Sequence, residues 1–336
     1  MSNRDPRSAA CVSVSLVVPL YNEEATVTTF LTTVSALLGC REDMRVDITF
    51  VNDGSGDGTL ERILRFKSEL LAIKVLDFSR NFGKEAALTA GIDAAPGDVV
   101  VPLDVDLQDP PELIPEMLEK WREGYDVVLA RRSDRDADNL WKRTSARMFY
   151  RAYNAISSPQ IPSDVGDFRL MDRCVIEALK ALPESRRFMK GLFAWVGFTT
   201  ASVHYARPHR SGGETKFSAT RLWNFAIEGL TSFSTMPLKL WTYVGASVAF
   251  VSLVYASVIV INVLLTGADV PGYASLIVAI TFLGGLQLIG LGIIGEYLGR
   301  TYMETKRRPL YLIKRQYDLG REVVDSPPKI DGRYGS

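Results

Sequence analysis

The sequence predicts an α/β fold in which a mainly parallel sheet is flanked by helices and followed by membrane-surface helices and a two-helix transmembrane hairpin. Two observations support this prediction. Between Val12 and Arg132, apolar runs rich in Val, Ile and Leu alternate with helical patterns, as in parallel sheets with crossover helices. Farther along, the uncharged runs Leu240–Leu265 and Tyr273–Gly295 are each long enough to cross a bilayer.

The predicted strands lack a clean alternation of apolar and polar residues, which is typical of strands covered on both faces. They are Val12–Val18, Val46–Val51, Ile73–Phe78, Asp98–Leu103 and Asp126–Ala130. The helices predicted among them are Glu23–Leu38, Gly58–Leu71, Lys84–Ala95 and Glu112–Glu123. The first of these helices has an apolar face formed by Val27, Phe30, Leu31, Val34 and Leu38. Ligands of such sheets bind beyond the carboxyl ends of the strands, so the polar residues there form the candidate site.

The middle of the chain is less regular. Trp141–Ile156 is a predicted helix. Arg186–Val196 and Phe217–Phe233 are apolar and aromatic with basic flanks, a composition that favours helices on a membrane surface. For Arg186–Val196, an ordinary core helix is an equally good interpretation, whereas Phe217–Phe233 runs directly into a predicted span.

The charges around the two spans predict their orientation. The loop Thr266–Gly272 contains no Lys or Arg, whereas the outer flanks of the hairpin are basic. These flanking residues are Arg221, Lys239, Arg300, Lys306, Arg307, Arg308, Lys314 and Arg315. By the positive-inside rule, both outer ends of the hairpin face the cytoplasm. The predicted organisation is a flexible N terminus at 1–11, a cytoplasmic domain at 12–216, an interfacial helix at 217–239, the hairpin at 240–299 and a cytoplasmic tail at 300–336.

Composition excludes several classes of protein. The 39 Lys and Arg residues balance the 39 Asp and Glu residues, so the chain lacks the basic excess of a nucleic-acid-binding protein. The cysteines Cys11, Cys40 and Cys174 are scattered and form no Cys-x-x-Cys pair, which argues against a zinc ribbon and a disulfide framework. We therefore expect reduced thiols in a cytosolic compartment.

The segment Leu103–Glu112 is the main candidate for a metal site. It begins at the end of a predicted strand, and in an extended segment Asp104 and Asp106 project to the same face. Two carboxylates can hold a hard divalent cation, and Gln108 offers a third oxygen ligand. Such an ion would neutralise a diphosphate. The alternative is a solvated acidic turn.

Two other loops complete the candidate site. After the first strand, Tyr21 is placed to stack on a base and Glu23 lies in the first helical turn. After the second strand, Asp53 is placed to accept a hydrogen bond from a base N–H, in a turn whose glycines allow close approach of a ligand. Thr59 stands where a dinucleotide fingerprint has its third glycine, so this loop indicates a nucleotide-binding turn rather than an NAD site.

These three loops resemble the nucleotide-sugar half of family-2 glycosyltransferases with the GT-A fold. Other segments resemble the bactoprenol (undecaprenyl-phosphate) glucosyltransferases, which are related to the dolichol-phosphate mannose synthases. These segments are Arg80–Glu85, Val165–Met171, Phe188–Gly191, Phe233–Thr235 and Gly295–Arg300. The resemblance covers roughly Val12–Lys314, nearly the whole chain.

The resemblance implies roles for individual residues. The residues that would bind the nucleotide sugar are Pro19, Tyr21, Glu23, Asp53, Lys84, Asp104, Arg131 and Arg169. Among them, Arg131 and Arg169 would face phosphate charge. Asp104, which would touch ribose or metal, would join Asp106 and Gln108 in holding Mg²⁺ or Mn²⁺.

The implied catalytic residues are Asp167, Asp106 and Lys216. Asp167 matches the acidic residue beside the transferred sugar and the acceptor. Lys216 belongs to the segment Arg207–Phe217, which is similar to a mobile loop over the active site.

The resemblance implies an inverting, metal-dependent transfer of glucose from UDP-glucose to polyprenyl phosphate at the bacterial cytoplasmic membrane. The catalytic domain and both termini would lie in the cytoplasm, the hairpin would contact membrane lipid, and relatives imply a homotetramer. A phosphate monoester is largely a dianion near neutral pH, so the acceptor needs no general base.

Several alternatives are consistent with the sequence. The chain could transfer mannose, galactose or an amino sugar instead, or could be a non-catalytic subunit that binds the lipid carrier. A processive polysaccharide synthase is disfavoured because the sequence contains no Gln-x-x-Arg-Trp motif.

Overall fold

The computed structural model describes residues 6–68, 70–132, 165–184, 187–205, 236–266 and 272–319. The chain divides into two compact units. One unit comprises Met1–Arg151, Pro159–Phe217 and Arg307–Ser336, and the other comprises Ala152–Ser158 and Ser218–Lys306. The predicted helices Trp141–Ile156 and Phe217–Phe233 lie outside the described residues.

The first unit contains an eight-stranded sheet with the strand order β7-β5-β6-β4-β1-β2-β3-β8. The strands are β1 Val12–Leu20, β2 Met44–Asn52, β3 Ala72–Phe78, β4 Val99–Pro102, β5 Val127–Arg132, β6 Val165–Asp172, β7 Thr200–Tyr205 and β8 Ile313–Leu319. β1 pairs in parallel with β2 and β4, β2 with β3, and β5 with β7. β6 is antiparallel to both of its neighbours, and β8 is antiparallel to β3. The predicted α/β class with a mainly parallel sheet is confirmed.

The helices of this unit are α1 Val27–Leu38, α2 Thr59–Arg65, α3 Lys84–Ala94, α4 Ile114–Arg122, α5 Arg173–Lys180 and α6 Met189–Trp195. A 3₁₀ turn, Pro111–Leu113, precedes α4. The buried residues of α1 are the five that the sequence places on its apolar face, and Phe30 meets Phe50 of β2 edge-to-face at 5.9 Å. Burial of this face against the sheet supplies most of the free energy that holds the helix in place.

All four helices predicted between Glu23 and Glu123 are shorter than predicted, and α1 and α2 differ most. α1 begins at Val27 rather than Glu23, and the backbone N–H of Glu23 donates to the Thr59 hydroxyl at 2.8 Å in the turn that precedes the helix. α2 ends at Arg65 rather than Leu71, since Phe66 takes an extended conformation. The region predicted as Arg186–Val196 forms α6, whose Met189, Leu192 and Phe193 side chains are buried, as the core-helix interpretation expects.

Both ends of the chain contribute to this unit. Near the N terminus, which is predicted to be flexible, Arg7 lies in a 3₁₀ turn and pairs with Asp126 at 2.6 Å. In the predicted cytoplasmic tail, β8 pairs with β3 along the edge of the sheet. Just before β8, the Tyr311 ring stacks on Phe78 with 5.2 Å between the ring centroids.

The second unit contains two long helices, α7 Met236–Thr266 and α8 Tyr273–Thr305. α7 includes the first predicted span, and α8 continues ten residues past Gly295, the predicted end of the second. Within the described residues, one helical stretch, Phe282–Thr305, is long and apolar enough to cross a membrane, with a mean hydropathy of 1.4. The Trp241 indole of α7 packs directly over Gly290 of α8.

Candidate active site

The loops after β1 and β2 are joined by hydrogen bonds at the carboxyl edge of the sheet. Asn22 donates its backbone N–H to the Ser55 hydroxyl at 3.0 Å, and its side-chain oxygen accepts the Gly56 N–H at 2.9 Å. Asn22 has a φ of 55°, a left-handed conformation that is uncommon for a residue with a side chain. The reciprocal bonds fix this conformation, so the two loops form one rigid wall of the candidate site.

Three of the predicted nucleotide-binding residues lie on or next to this wall. Pro19 is partly buried near the end of β1, whereas the Tyr21 side chain is 52% exposed. The exposed ring is available to stack on a base. The Glu23 carboxylate accepts a hydrogen bond from the Thr26 hydroxyl at 2.6 Å, within its own loop.

Asp53 lies behind this surface and is 3% exposed. Its two carboxylate oxygens accept the backbone N–H groups of Phe82 at 2.6 Å and Gly83 at 2.9 Å. Burial raises the pKa of Asp53, and the two N–H groups only partly oppose this shift. The structure thus shows Asp53 holding the loop that leads into α3, and its contact with a base remains a prediction.

Lys84, the first residue of α3, joins two acidic residues of the candidate site. Its Nζ atom lies 2.8 Å from Asp104 Oδ1 and 2.9 Å from Asp167 Oδ2. Burial opposes the charged form of Lys84, but the two carboxylates hold its pKa above the ordinary value. Burial likewise opposes ionisation of Asp167, yet Lys84, Lys190 and Arg169 hold the pKa of that carboxyl below its ordinary value. Asp167 is therefore an ionised hydrogen-bond acceptor near neutral pH.

The acidic segment has a different geometry from the one predicted. β4 ends at Pro102, so Asp104 and Asp106 lie in a turn rather than in an extended strand, and Leu107 between Asp106 and Gln108 has a φ of 55°. The expectation that both aspartates share one face of a strand is wrong. Asp104 faces Lys84, whereas exposed Asp106 accepts the Gln108 side-chain N–H at 2.5 Å.

The donor set of this turn nevertheless fits a divalent cation. Asp104, Asp106 and Gln108 offer carboxylate and amide oxygens, which hard cations such as Mg²⁺ and Mn²⁺ prefer. The contact between Asp106 and Gln108 places two of these groups side by side. Among the described residues, no cluster of three or more His, Cys, Asp or Glu side chains is arranged as a metal site. Two carboxylates with an amide would therefore need a ligand such as diphosphate to complete the coordination.

The two predicted phosphate-binding arginines lie on neighbouring strands. Arg131 on β5 is partly buried and pairs with Val165 at the start of β6. Arg169 is 6% exposed, and its guanidinium lies 4.1 Å from the Phe193 ring centroid while donating to the Gly166 carbonyl at 2.8 Å. Burial lowers the pKa of Arg169 to about 10. A cavity of about 180 Å³ lies beside Arg169 and Lys190.

Sequence reasoning missed two residues that support the site. The Glu85 carboxylate accepts the backbone N–H of Met189 at 3.0 Å and so links the start of α3 to the start of α6. Burial raises the pKa of Glu85 to about 7. Asp109 accepts the Tyr205 hydroxyl at 2.7 Å and anchors the acidic turn to β7. Both lie in segments singled out from the sequence, but their partners are distant in the chain. Lys216, like the rest of the segment Arg207–Phe217, lies outside the described residues.

Two family models match this chain. Residues 15–180 match glycosyl transferase family 2, and residues 236–301 match the GtrB C-terminal hairpin. Among solved structures, glucosyl-3-phosphoglycerate synthase from Mycobacterium tuberculosis is similar, with a TM-score of 0.48 and 21% identity over 66% of this chain and 79% of that chain.

Similarity to two curated relatives extends along nearly the whole chain. The prophage bactoprenol glucosyl transferase homolog of Escherichia coli K12 is 50% identical over 304 residues, which cover 90% of this chain and 99% of the relative. The SfII prophage-derived bactoprenol glucosyl transferase of Shigella flexneri is 50% identical over 306 residues, covering 91% and 99%. The resemblance predicted from the sequence motifs is confirmed, and the chain belongs to glycosyl transferase family 2.

Proposed function

We propose that this glycosyltransferase moves glucose from UDP-glucose to a membrane-bound polyprenyl phosphate. The observation that carries the proposal is the contact of one ammonium group, Lys84 Nζ, with both Asp104 and Asp167. It brings a candidate metal ligand next to the carboxylate proposed to lie beside the sugar and acceptor. Half of the residues are shared with relatives named bactoprenol glucosyl transferases, which supports glucose as the sugar and a polyprenyl phosphate as the acceptor.

The reaction proposed is a direct displacement with inversion. An oxygen of the acceptor phosphate dianion forms a bond to the anomeric carbon, while the bond from that carbon to the donor diphosphate breaks and UDP leaves. A divalent cation held by Asp104, Asp106 and Gln108 would neutralise the diphosphate. Because the acceptor is already ionised, Asp167 serves as an anionic acceptor that orients hydroxyl groups rather than as a proton-abstracting base.

Other residues complete the proposed site. Pro19, Tyr21 and Glu23 contact the uridine, with Asp53 supporting the loop behind them. Arg131 and Arg169 supply positive potential for phosphate, and Lys216 approaches from the loop over the site. The proposed positions of these groups follow the carboxyl edge of the sheet, where ligands of α/β proteins bind.

The membrane arrangement is also a proposal. The hairpin crosses the cytoplasmic membrane twice, with the catalytic unit and both termini in the cytoplasm and membrane lipid around α7 and α8. The uncharged loop Thr266–Gly272 and the basic outer flanks support this orientation. We propose a homotetramer in the membrane, by likeness to related transferases.

Transfer assays in nanodiscs test the chemistry. We expect a panel of nucleotide sugars with undecaprenyl phosphate to give product chiefly from UDP-glucose, and excess EDTA to abolish it. Asp106→Ala should lower transfer at least about 100-fold, because the leaving diphosphate loses part of its compensating charge. Glu61→Ala removes an exposed carboxylate whose partner is Arg65 and should leave transfer unchanged. Full activity of Asp106→Ala, or of the wild type in EDTA, would contradict the metal assignment.

A further inference from the structure

Lys84 occupies a position in the site that its assignment to nucleotide binding does not explain. Its ammonium contacts both oxygens of Asp104, at 2.8 and 3.0 Å, and one oxygen of Asp167 at 2.9 Å. The three residues come from different segments: the start of α3, the turn after β4 and the start of β6. The Lys84 side chain is 46% exposed, so a solute entering the site can reach and displace it.

We infer that Lys84 is a positioning residue whose ammonium supplies a positive charge at the proposed metal site before the metal binds. Before the donor binds, it holds Asp104 next to Asp167, and it opposes binding of a free divalent metal ion to Asp104. When the nucleoside diphosphate arrives, its negative charge offsets this opposition, so metal and donor enter the site together. The inference rests on the proposed function, because that function makes Asp104 a metal ligand and Asp167 the carboxylate beside the acceptor.

The contacts themselves supply the reason. A metal ion that binds alone must either share Asp104 with Lys84 or displace the ammonium, since both carboxylate oxygens already accept from it. It must then remain close to a second positive charge, which repels it. A diphosphate adds negative charge that attracts both cations and removes this penalty. Metal and nucleotide therefore favour each other's binding, and the coupling is reciprocal.

The same contacts give Lys84 a role after the donor has bound. Displacement from Asp104 leaves the ammonium next to the metal ion that Asp104 would hold, and therefore near the diphosphate bound to that ion. The cation that offsets part of the negative charge of the two carboxylates in the empty site thereby becomes available to the leaving group. Lysine suits this exchange because its ammonium is a compact charge on a flexible stem, and it can change partners without a backbone movement.

Metal binding measured without turnover tests this inference. We would titrate the full-length protein in nanodiscs with Mn²⁺ and follow free Mn²⁺ by electron paramagnetic resonance, with and without UDP. Without UDP, Lys84→Met should bind Mn²⁺ about 10-fold more tightly than the wild type, because the competing cation is gone. With UDP present, the increase in Mn²⁺ affinity of Lys84→Met over the wild type should be several-fold smaller. The variant would then show weaker coupling between metal and nucleotide binding than the wild type. Lys84→Arg, which keeps the charge, should behave like the wild type.

Two controls separate this effect from simpler ones. Lys120→Met removes a positive charge that pairs with Glu123, and it should leave Mn²⁺ affinity unchanged. Thermal unfolding of each variant should show that the fold is retained. If Lys84→Met binds Mn²⁺ no more tightly than the wild type without UDP, or if Lys120→Met gains as much, the inference is overturned. Failure of the wild type to bind Mn²⁺ even with UDP would instead overturn the metal assignment in the proposed function.

Discussion

Asp53 is a buried carboxylate that supports one loop of the candidate active site. Its two oxygens hold the backbone N–H groups of Phe82 and Gly83, and Lys84 follows directly in the chain. Gly83 has a φ of 97°, which only glycine adopts readily. The loop therefore depends on this glycine for its backbone conformation and on the Asp53 carboxylate for its hydrogen bonds. Asp53 therefore fixes where α3 begins, and with it the base of the Lys84 side chain.

Asp53→Asn tests this support. Asparagine offers one acceptor oxygen and places an NH₂ group against the second backbone N–H, leaving a buried donor unsatisfied. We expect a loss of stability of about 1–3 kcal/mol and weaker UDP binding, measured by thermal unfolding and calorimetric titration. Asp43→Asn, which breaks the half-exposed pair with Arg41, should cost less than about 1 kcal/mol. Equal losses in the two variants would argue against a special role for Asp53.

Glu85 makes the stability of the site sensitive to pH. Its pKa rises from 4.5 to about 7 in the folded protein because of burial, with Asp167 acting in the same direction and the Met189 N–H, Lys84 and Lys190 opposing the rise. The folded state therefore binds the Glu85 proton more tightly than the unfolded state does. The stabilisation from this group is fully present below pH 4.5 and is lost as the pH rises through 7.

Glu85→Gln should remove this pH dependence while keeping an acceptor oxygen for the Met189 N–H. We expect the variant to match the wild type near pH ~5 and to be more stable by on the order of 2 kcal/mol near pH ~8, since one pKa unit corresponds to about 1.4 kcal/mol. Thermal unfolding of both proteins across this range gives the comparison. A difference that does not change with pH would show that Glu85 titrates normally.

At the scale of elements, the sequence predicts the first five strands of the sheet and misses β6, β7 and β8. β1 to β5 are each found within two residues of their predicted ends because their apolar runs are continuous. β7 exposes alternate residues, and no residue of β8 is fully buried. β8 reads as Ile-Lys-Arg-Gln-Tyr-Asp-Leu, which has no strand signal of its own. β8 is a strand because β3 offers an unpaired edge, and that information is not local.

The sequence likewise predicts one part of the candidate site and misses another. Loops after parallel strands meet at one edge, so the sequence could place Asp53 and Asp104 near the ligand. The contact between Lys84 and Asp167 depends on β6 entering the sheet antiparallel between β4 and β5. No spacing or periodicity shows that insertion, and the motif resemblance alone pointed to Asp167.

The packing of α7 against α8 depends on one glycine. A Cβ atom at Gly290 would collide with the Trp241 indole, whereas a Cβ at Gly292 would meet no atom within 4 Å. We therefore expect Gly290→Ala to destabilise the helix pair by about 1–3 kcal/mol and Gly292→Ala to have little effect. Thermal unfolding in detergent, followed by tryptophan fluorescence, measures both. Equal behaviour of the two variants would contradict this packing.

At the scale of the whole molecule, the hairpin unit is an insertion into the catalytic unit. The chain leaves the first unit after Phe217 and returns to it at Arg307, where β8 completes the sheet. Ser79, directly after β3, donates its N–H to the Leu312 carbonyl at 3.0 Å, and Tyr311 stacks on Phe78. The segment that follows the hairpin thus supports the β3 edge of the sheet.

We expect the first unit to bind the nucleotide and the hairpin to hold the lipid acceptor. Because β8 follows the hairpin in the chain, a test of this expectation must remove the hairpin without removing β8. Truncation before Met236 would remove β8 together with the hairpin, and the exposed β3 edge would weaken the nucleotide site for a reason unrelated to the membrane.

Replacing 236–305 with a flexible Gly/Ser linker retains β8, and closing a longer or shorter loop changes its entropy only slowly. We expect this internal deletion to bind UDP with an affinity within about 3-fold of the wild type, because each doubling of loop length costs only about 0.6 kcal/mol. Transfer to undecaprenyl phosphate in nanodiscs should fall at least about 100-fold, because the acceptor is no longer held against the anomeric carbon. Calorimetric titration measures UDP binding, and the nanodisc assay measures sugar transfer. The truncation before Met236 is the matched variant, and it should lose UDP affinity as well as transfer. Wild-type transfer by the internal deletion would mean that the hairpin only anchors the enzyme.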